Sequence, residues 1–545
     1  MRKTALLLLT GIMFIGCKSD QKSEQELTEI QADSTDTVQE LDFKLVDSRY
    51  IDNDSLWAPF EADLAEFSSE VYEEVKALVF EKSIPQIQES VAKGDLSYED
   101  LALFYLTRIM EYDRNNDLSL NSVISLNPDL LKGAQAKDKA GRKPGQHPIF
   151  GIPVLLKDNI NTGAMPTTAG AEALKNNNTQ DAFIVERLKA NGALILGKAN
   201  LSEWAYFFCE DCPSGYSAIG GQTLNPYGRK ILDTGGSSSG SGVAVAANFA
   251  PVAVGSETSG SILSPSSQNS IVGLKPTIGL LSRGGIVPIS STLDTPGPMT
   301  KNVIDNAILL SAMTGLDKSD PASKAAGKKS ADYFKELTNT DLTGKRFGAI
   351  KALMEDTLYV RALNDLRNAG ATIVEFEAED IKLSDFLRLL NLDMKKDLPE
   401  YFKNYGGNVA FKNVKDIVDY NLKDSVNRAP YGQELFLGII RDSAGAEEFA
   451  GIKKTLKENG TRFFEKPMKE YNLDAVLSIN NYHAGFAAVA KYPAITVPMG
   501  YAKENNKPMG LTFISKPFSE QNLLNWAFAF EQTTNRRKTP VDYNE

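Results

Sequence analysis

Two serines and one lysine stand where side chains could exchange protons. Ser237 follows Gly235-Gly236. Ser261 closes Glu257-Thr258-Ser259-Gly260-Ser261, 24 residues later. Lys157 ends the apolar run Gly151-Ile-Pro-Val-Leu-Leu-Lys157. A serine hydroxyl is a weak nucleophile until a neighbour takes its proton. The customary base is histidine, but the chain holds only His147 and His483. Neither lies in a glycine-framed segment, and both read as structural. Lysine can take the role when burial disfavours the ammonium and leaves neutral amine near pH 7. Val154, Leu155 and Leu156 lead into Lys157 and make it the candidate. Standing alone, a lysine at a strand end reads first as a surface residue.

The serines belong to one stretch, Asp233 to Arg283, that is rich in Gly and Ser. A flexible linker of that composition is polar throughout. This stretch instead alternates small-residue turns with apolar runs at Val243–Ala247 and Val252–Val254. Such a pattern suits backbone passing close to other backbone, or to a substrate, inside a packed core.

The serine spacing and the Lys157 segment together resemble the amidase signature family. The Glu-Thr-x-Gly-Ser form, with Gly-Gly-Gln-Thr-Leu-Asn-Pro at 220–226, is most similar to its bacterial peptide-amidase branch. The resemblance runs from about residue 95 to about residue 540. It implies an α/β fold with a large mixed central β-sheet covered by helices on both faces. It implies hydrolysis of a carboxylic amide through an acyl-enzyme on Ser261, with a Lys157–Ser237 proton relay and often a cis Gly236–Ser237 peptide. The oxyanion donors carried over are the backbone N–H groups of Thr258, Ser259, Gly260 and Ser261. Gly236 and Ser238 support the site, Ser238 bonding either Lys157 or loop backbone. Ser256, Ser264, Ser266 and Ser267 are expected to be structural. The commonest family pattern has Asp, then Thr-Gly-Gly-Ser-Ile-Arg. Here Glu257, Ser259 and Leu263 replace the Asp, the first Gly and the Arg, which leaves Glu257 in need of another partner. No metal and no cofactor is expected.

The surrounding elements must position these residues. Helical spacing covers Ser68–Lys93 and Ser97–Tyr112, the second opening on a capping box of Ser97 and Asp100. A short strand at Val123–Leu126, a helix at Asp129–Ala140 and a buried strand at Ile149–Leu156 follow. Asp181–Asn191 reads as a helix closed by Gly192, and Ala193–Leu196 as the next strand. This alternation argues for a layered α/β core. Further helices are expected at Asn302–Gly315 and Leu358–Ala369, and strands at Phe347–Ile350 and Thr372–Phe376. Residues 383–466 read as a helical insert, a region that varies in the family and often shapes the substrate entrance. Late strands are expected at Ala475–Ser478, Ala494–Val497 and Gly510–Ile514, with a closing helix at Ser519–Thr533. Residues 59–545 are thus read as a single amidase signature domain.

The 545 residues carry a net charge of −11, which argues against nucleic acid or an anionic membrane surface as the main partner. Residues 1–17 have a basic start, Arg2-Lys3, and an apolar run, Thr4–Ile15, too short to span a bilayer. They end in Phe14-Ile-Gly-Cys17, which resembles a bacterial lipobox with Cys17 as the lipidated residue. The expected location is therefore exported and lipid-anchored to a bacterial membrane. Residues 18–58, rich in acidic and small polar side chains, are expected to form a disordered tether. Cys209 and Cys212 are spaced for a local disulfide or stand as two free thiols. The favoured function is a serine amidase acting on a small-molecule or peptide amide. The alternatives are the glutaminase subunit of a tRNA-dependent amidotransferase, which shares the motif, and a non-catalytic binding lipoprotein.

Overall fold

The runs that carry Lys157 and lead to Ser261 become neighbouring strands. Pro153–Lys157 and Val252–Glu257 pair in parallel, Leu156 opposite Val254. All residues of both strands are buried, as expected for a strand covered on two faces and so apolar without alternation. Because they run the same way, both deliver their polar C-terminal residues to one edge of the sheet, where open α/β sheets form their sites.

A computed structural model describes residues 40–114, 116–326, 332–337 and 340–544. Among these the main sheet has eleven strands. Across it lie Val123–Leu126, Leu194–Ala199, Pro153–Lys157, Val252–Glu257, Thr295–Thr300 and Val272–Lys275. Ala494–Tyr501, Pro508–Ile514, Ala475–Ile479, Arg346–Ile350 and Thr372–Phe376 complete it. Parallel pairs lie around Pro153–Lys157 and at the Arg346–Phe376 edge; antiparallel pairs join them. The sheet is mixed and the fold is α/β, as expected. Residues 40–545 form one compact unit.

Most expected elements are present with shifted ends, and three differ. Ser68–Lys93 is two helices, Ser69–Val79 and Ile84–Lys93. The chain turns at Glu81, whose φ is +57°. Ser83 then opens a new helix through a capping box with Gln86, and Pro85 sits in its first turn. The strand expected from Ile149 begins only at Pro153. Gly151 (φ +75°) turns the chain first, so that the Ile152 N–H donates to Ile149 O.

The third correction concerns the tether. Residues 18–39 lie outside the described residues, but the remainder of that stretch is packed. Gln222 N–H donates to Val46 O at 2.7 Å, and Lys44 N–H to the Tyr431 hydroxyl at 3.0 Å. Asn53–Trp57 is a short helix. Phe43, Val46, Leu56 and Trp57 reach the main core, so a few spaced apolar side chains outweigh the polar composition. The signal segment 1–17, with Cys17, also lies outside the described residues. Among those described, no helix is long and apolar enough to cross a membrane.

The insert is helical, as expected. Phe386–Asn404, Val414–Asn421, Glu434–Arg441 and Ala446–Glu470 are its principal helices. Leu389, Leu398, Ile417 and Phe436 pack with Trp204, Phe207 and Phe208 in an apolar cluster separate from the main one. Cys209 and Cys212 lie in that cluster, joined as a disulfide with Cα atoms 5.6 Å apart.

Candidate active site

Parallel pairing sets Lys157 beside Ser256. The Lys157 side chain has no solvent exposure. Its Nζ lies 2.7 Å from Ser237 Oγ, 3.1 Å from Ser256 O and 3.0 Å from Ser256 Oγ. Burial lowers the ammonium from 10.5 to about 7, while Asp294 and Glu257 pull the other way. Neutral amine is therefore abundant near neutrality, as a lysine base requires.

Ser237 reaches Lys157 because the chain before it folds tightly. Gly235 has φ +65°, and a Cβ there would lie 2.7 Å from Pro265 N. The next peptide, Gly236–Ser237, is cis. Helix Ser239–Ala246 begins immediately after and is buried along its whole length. Its small residues permit that packing: a Cβ on Gly240 would sit 2.6 Å from both N and O of Asn200. Ser238 bonds neither Lys157 nor loop backbone but the backbone of strand Val252–Glu257. Its Oγ donates to Ser256 O at 3.1 Å and accepts from the Ser256 N–H at 3.2 Å.

Ser261 lies on the loop between strand Val252–Glu257 and helix Leu263–Gln268. The Ser238 N–H donates to Ser261 O at 3.2 Å, so the two serine segments run side by side. Access separates them: Ser237 is 0% exposed and Ser261 is 8% exposed. Gly260 turns the loop with φ +88°. Among the described residues, the backbone N–H groups of Thr258, Ser259, Gly260 and Ser261 make no hydrogen bond. The Thr258 hydroxyl is committed elsewhere, donating to Asp294 Oδ1 at 2.6 Å. Glu257 finds its partners in the backbone: Oε2 accepts from the N–H groups of Ile262 and Leu263 at 2.8 and 3.0 Å. It thereby braces the start of the helix after Ser261, where the family's commonest pattern has its Asp and Arg.

Two contributors were missed in the sequence. Ser256, expected to be structural, contacts Nζ twice and accepts from Asn159 Nδ2 at 2.9 Å. Asp294 lies on a distant stretch with no motif around it; burial raises its carboxyl to about 6. Parallel register could have flagged Ser256, since it lies near the end of the strand beside Lys157. The histidines stand apart from this group. Burial lowers both to about 4. His147 Nδ1 accepts from the Ile149 N–H, and His483 Nδ1 pairs with Ser478 Oγ.

A cavity of about 220 Å³ opens beside the strand end that contacts the lysine, with Asn159, Ser256, Thr258 and Asp294 on its wall. The insert helix Phe386–Asn404 also contributes to the wall, through Asp397, Glu400, Tyr401 and Asn404.

A buried lysine held against one serine, beside a second, more accessible serine on a mixed α/β sheet, is an arrangement able to move protons without histidine. The chain belongs to the amidase signature family: the amidase family model matches residues 100–478. A probable amidase of Arabidopsis thaliana is 36% identical over 84% of this chain and 91% of its own length. An amidase family protein from Bacillus anthracis has a TM-score of 0.87 at 38% identity, covering 92% of this chain and 99% of that one. The native peptide amidase from Stenotrophomonas maltophilia has a TM-score of 0.81 at 38% identity, covering 86% and 99%. The relatives also include a glutamyl-tRNA(Gln) amidotransferase subunit from Zymomonas mobilis, 30% identical over 82% of this chain and 96% of its own length. The chain is an amidase, a hydrolase of carbon–nitrogen bonds in linear amides.

Proposed function

We propose that Ser261 is the nucleophile, Ser237 the relay and Lys157 the base in hydrolysis of a C-terminal peptide amide or similar bulky carboxamide. The observation that carries this reading is the contact of Lys157 Nζ with Ser237 Oγ at 2.7 Å in a fully buried setting. A neutral amine has two N–H groups and one lone pair. Ser256 O can only accept, and Ser256 Oγ is available as a second acceptor. Both N–H groups are thereby used, and the lone pair is left for the Ser237 hydroxyl.

The protons then balance. Ser261 Oγ attacks the amide carbon; its proton passes to Ser237 Oγ, whose own proton passes to Lys157. The N–H groups of Thr258, Ser259, Gly260 and Ser261 are the donors for the oxyanion, and the Thr258 hydroxyl separately bonds Asp294. Losing one such donor typically costs about 3 kcal/mol of barrier. The relay runs backward to protonate the departing nitrogen as the C–N bond breaks. Water, deprotonated by the same route, releases the acid from Ser261. Burial distinguishes the serines: the more accessible one meets substrate and the sealed one conducts.

A fluorophosphonate probe tests the assignment. It should label the wild-type protein on Ser261 and leave Ser261→Ala unlabelled; equal labelling of the two would overturn it. The amidotransferase relatives support a second reading, in which the site is a glutaminase feeding ammonia to a partner. The export signal read at residues 1–17 speaks against it, as does the higher identity to peptide amidase. Co-purification with a tRNA-binding subunit would favour it.

We also infer that the protein is exported and anchored through lipid on Cys17, on the strength of Arg2-Lys3, the apolar run and Gly16-Cys17. Metabolic labelling with an alkyne fatty acid should mark the wild type and not Cys17→Ser.

A further inference from the structure

The cavity beside the relay has a chemistry that amide hydrolysis does not need. Besides Asp320, three carboxylates line it, those of Asp294, Asp397 and Glu400. Asp294 is held by the Thr258 hydroxyl and by the N–H groups of Ile289 and Ser290. Asp397 accepts from the Ser291 N–H at 2.6 Å, and Glu400 from Asn404 Nδ2 at 3.2 Å. Among the described residues none of the three has a cationic side chain within ion-pair distance. The cation on the wall, Arg283, is already paired with a fourth carboxylate, Asp320, at 2.6 Å. The lining thus carries an uncompensated charge of about −3 when its carboxyls are ionised.

The rest of the wall suits a ligand of one kind. Tyr401 and Tyr405 add aromatic surface to the wall. Tyr401 is fixed, its hydroxyl donating to Asn161 Oδ1 at 2.7 Å. Carboxylates beside aromatic rings suit an organic cation, which gains from both. The arrangement is built rather than accidental. Asp397, Glu400, Tyr401 and Asn404 follow i, i+3, i+4, i+7 spacing on one helix, so a single face of the insert is turned to the cavity.

The geometry points to a subsite for a cationic side chain: the cavity takes the ammonium or guanidinium of the residue whose carboxamide is cleaved. This rests on the peptide-amide reading above. In that reaction ammonia departs, and ammonia has no side chain, so recognition falls on the acyl residue.

The test is a series of blocked dipeptide amides differing only at the C-terminal residue: arginine, its neutral isostere citrulline, and glutamate. On the full chain, kcat/KM for the arginine amide should exceed that for the citrulline amide by about tenfold, with the glutamate amide poorest. Asp397→Asn and Glu400→Gln should each lower the arginine-to-citrulline ratio about threefold, and 0.5 M NaCl should compress it. Arginine and citrulline amides cleaved equally well, or a ratio untouched by either substitution, overturns the subsite. Glu400 is exposed, so its variant keeps the test open if Asp397→Asn folds poorly. Should no amide be cleaved, the amidase assignment of the site falls first. Calorimetry of argininamide against citrullinamide on Ser261→Ala then reads the subsite separately, and equal binding overturns it.

Discussion

The lysine–serine site and the cavity face of the insert lie side by side but are held in different ways. Lys157, Ser237 and Ser256 are fixed by two parallel strands and a helix packed so tightly that a methyl group on Gly240 has no room. The insert face is a row of side chains on one helix whose own apolar cluster is separate from the main core. The first region gains a shifted lysine by excluding water. The second keeps its carboxylates partly solvated and so able to meet a charged ligand. Chemistry that depends on desolvation needs the rigid centre of the sheet; selection among substrates can be hung on an added helix.

The largest expected effect breaks the first region. Lys157→Ala should lower kcat about 10³-fold or more, as loss of a positioned base does. The wild-type rate should rise with pH through an apparent value of about 7. The sign follows from the base being the unprotonated form: below 7 the neutral fraction falls about tenfold per pH unit. Asp294 favours the ammonium, so Asp294→Asn should move the acid limb to lower pH. A limb that stays put, or turnover retained in Lys157→Ala, would break the relay. Rate against pH on one neutral amide reads both.

Gly240→Ala probes the packing beneath that site. Its Cβ would press on Asn200 N and O, both backbone atoms that cannot step aside. Overpacking of this kind costs about 3 kcal/mol, visible as a lowered unfolding midpoint. An unchanged midpoint would show that the helix after Ser237 has slack.

How much of this was legible beforehand differs between the regions for a physical reason. Small residues at fixed spacing announce close backbone approach, and an apolar run announces a buried strand, so Lys157, Ser237 and Ser261 could be read in order. Ser256, which contacts Lys157 Nζ, was harder to read, because that contact comes from the pairing of two strands far apart in sequence and shows only once their parallel register is known. Glu257 likewise looked orphaned without an arginine; backbone N–H donors, which no side-chain pattern encodes, are its partners. The break at Glu81 was available in Ser83, Pro85 and Gln86, but periodicity across it obscured the cap. Residues 41–58 misled through composition: Phe43, Val46 and Trp57 are few, and only tertiary contact gives them weight.

Ser256→Ala separates orienting the base from supplying it. The carbonyl of residue 256 still takes one N–H of Lys157, but the hydroxyl acceptor is gone. A neutral hydrogen bond of this sort is worth about 1 kcal/mol, so kcat should fall about fivefold with KM little changed. A loss as large as that of Lys157→Ala would make Ser256 a member of the relay and redraw the site.

The smallest effect is expected at the insert, in stability. Glu400 is exposed and makes one hydrogen bond, from Asn404 on the next turn of its helix. Glu400→Gln keeps that acceptor and removes only a charge. Surface changes of this type stay within about 0.5 kcal/mol, and nearby carboxylates such as Asp397 would gain slightly from losing a like charge. The unfolding midpoint should therefore be unchanged or marginally raised, measured at low salt where the effect is greatest. A marked fall would mean that the row of acids holds the helix in place, and the division between a rigid reactive centre and a tolerant selecting face would lose its footing.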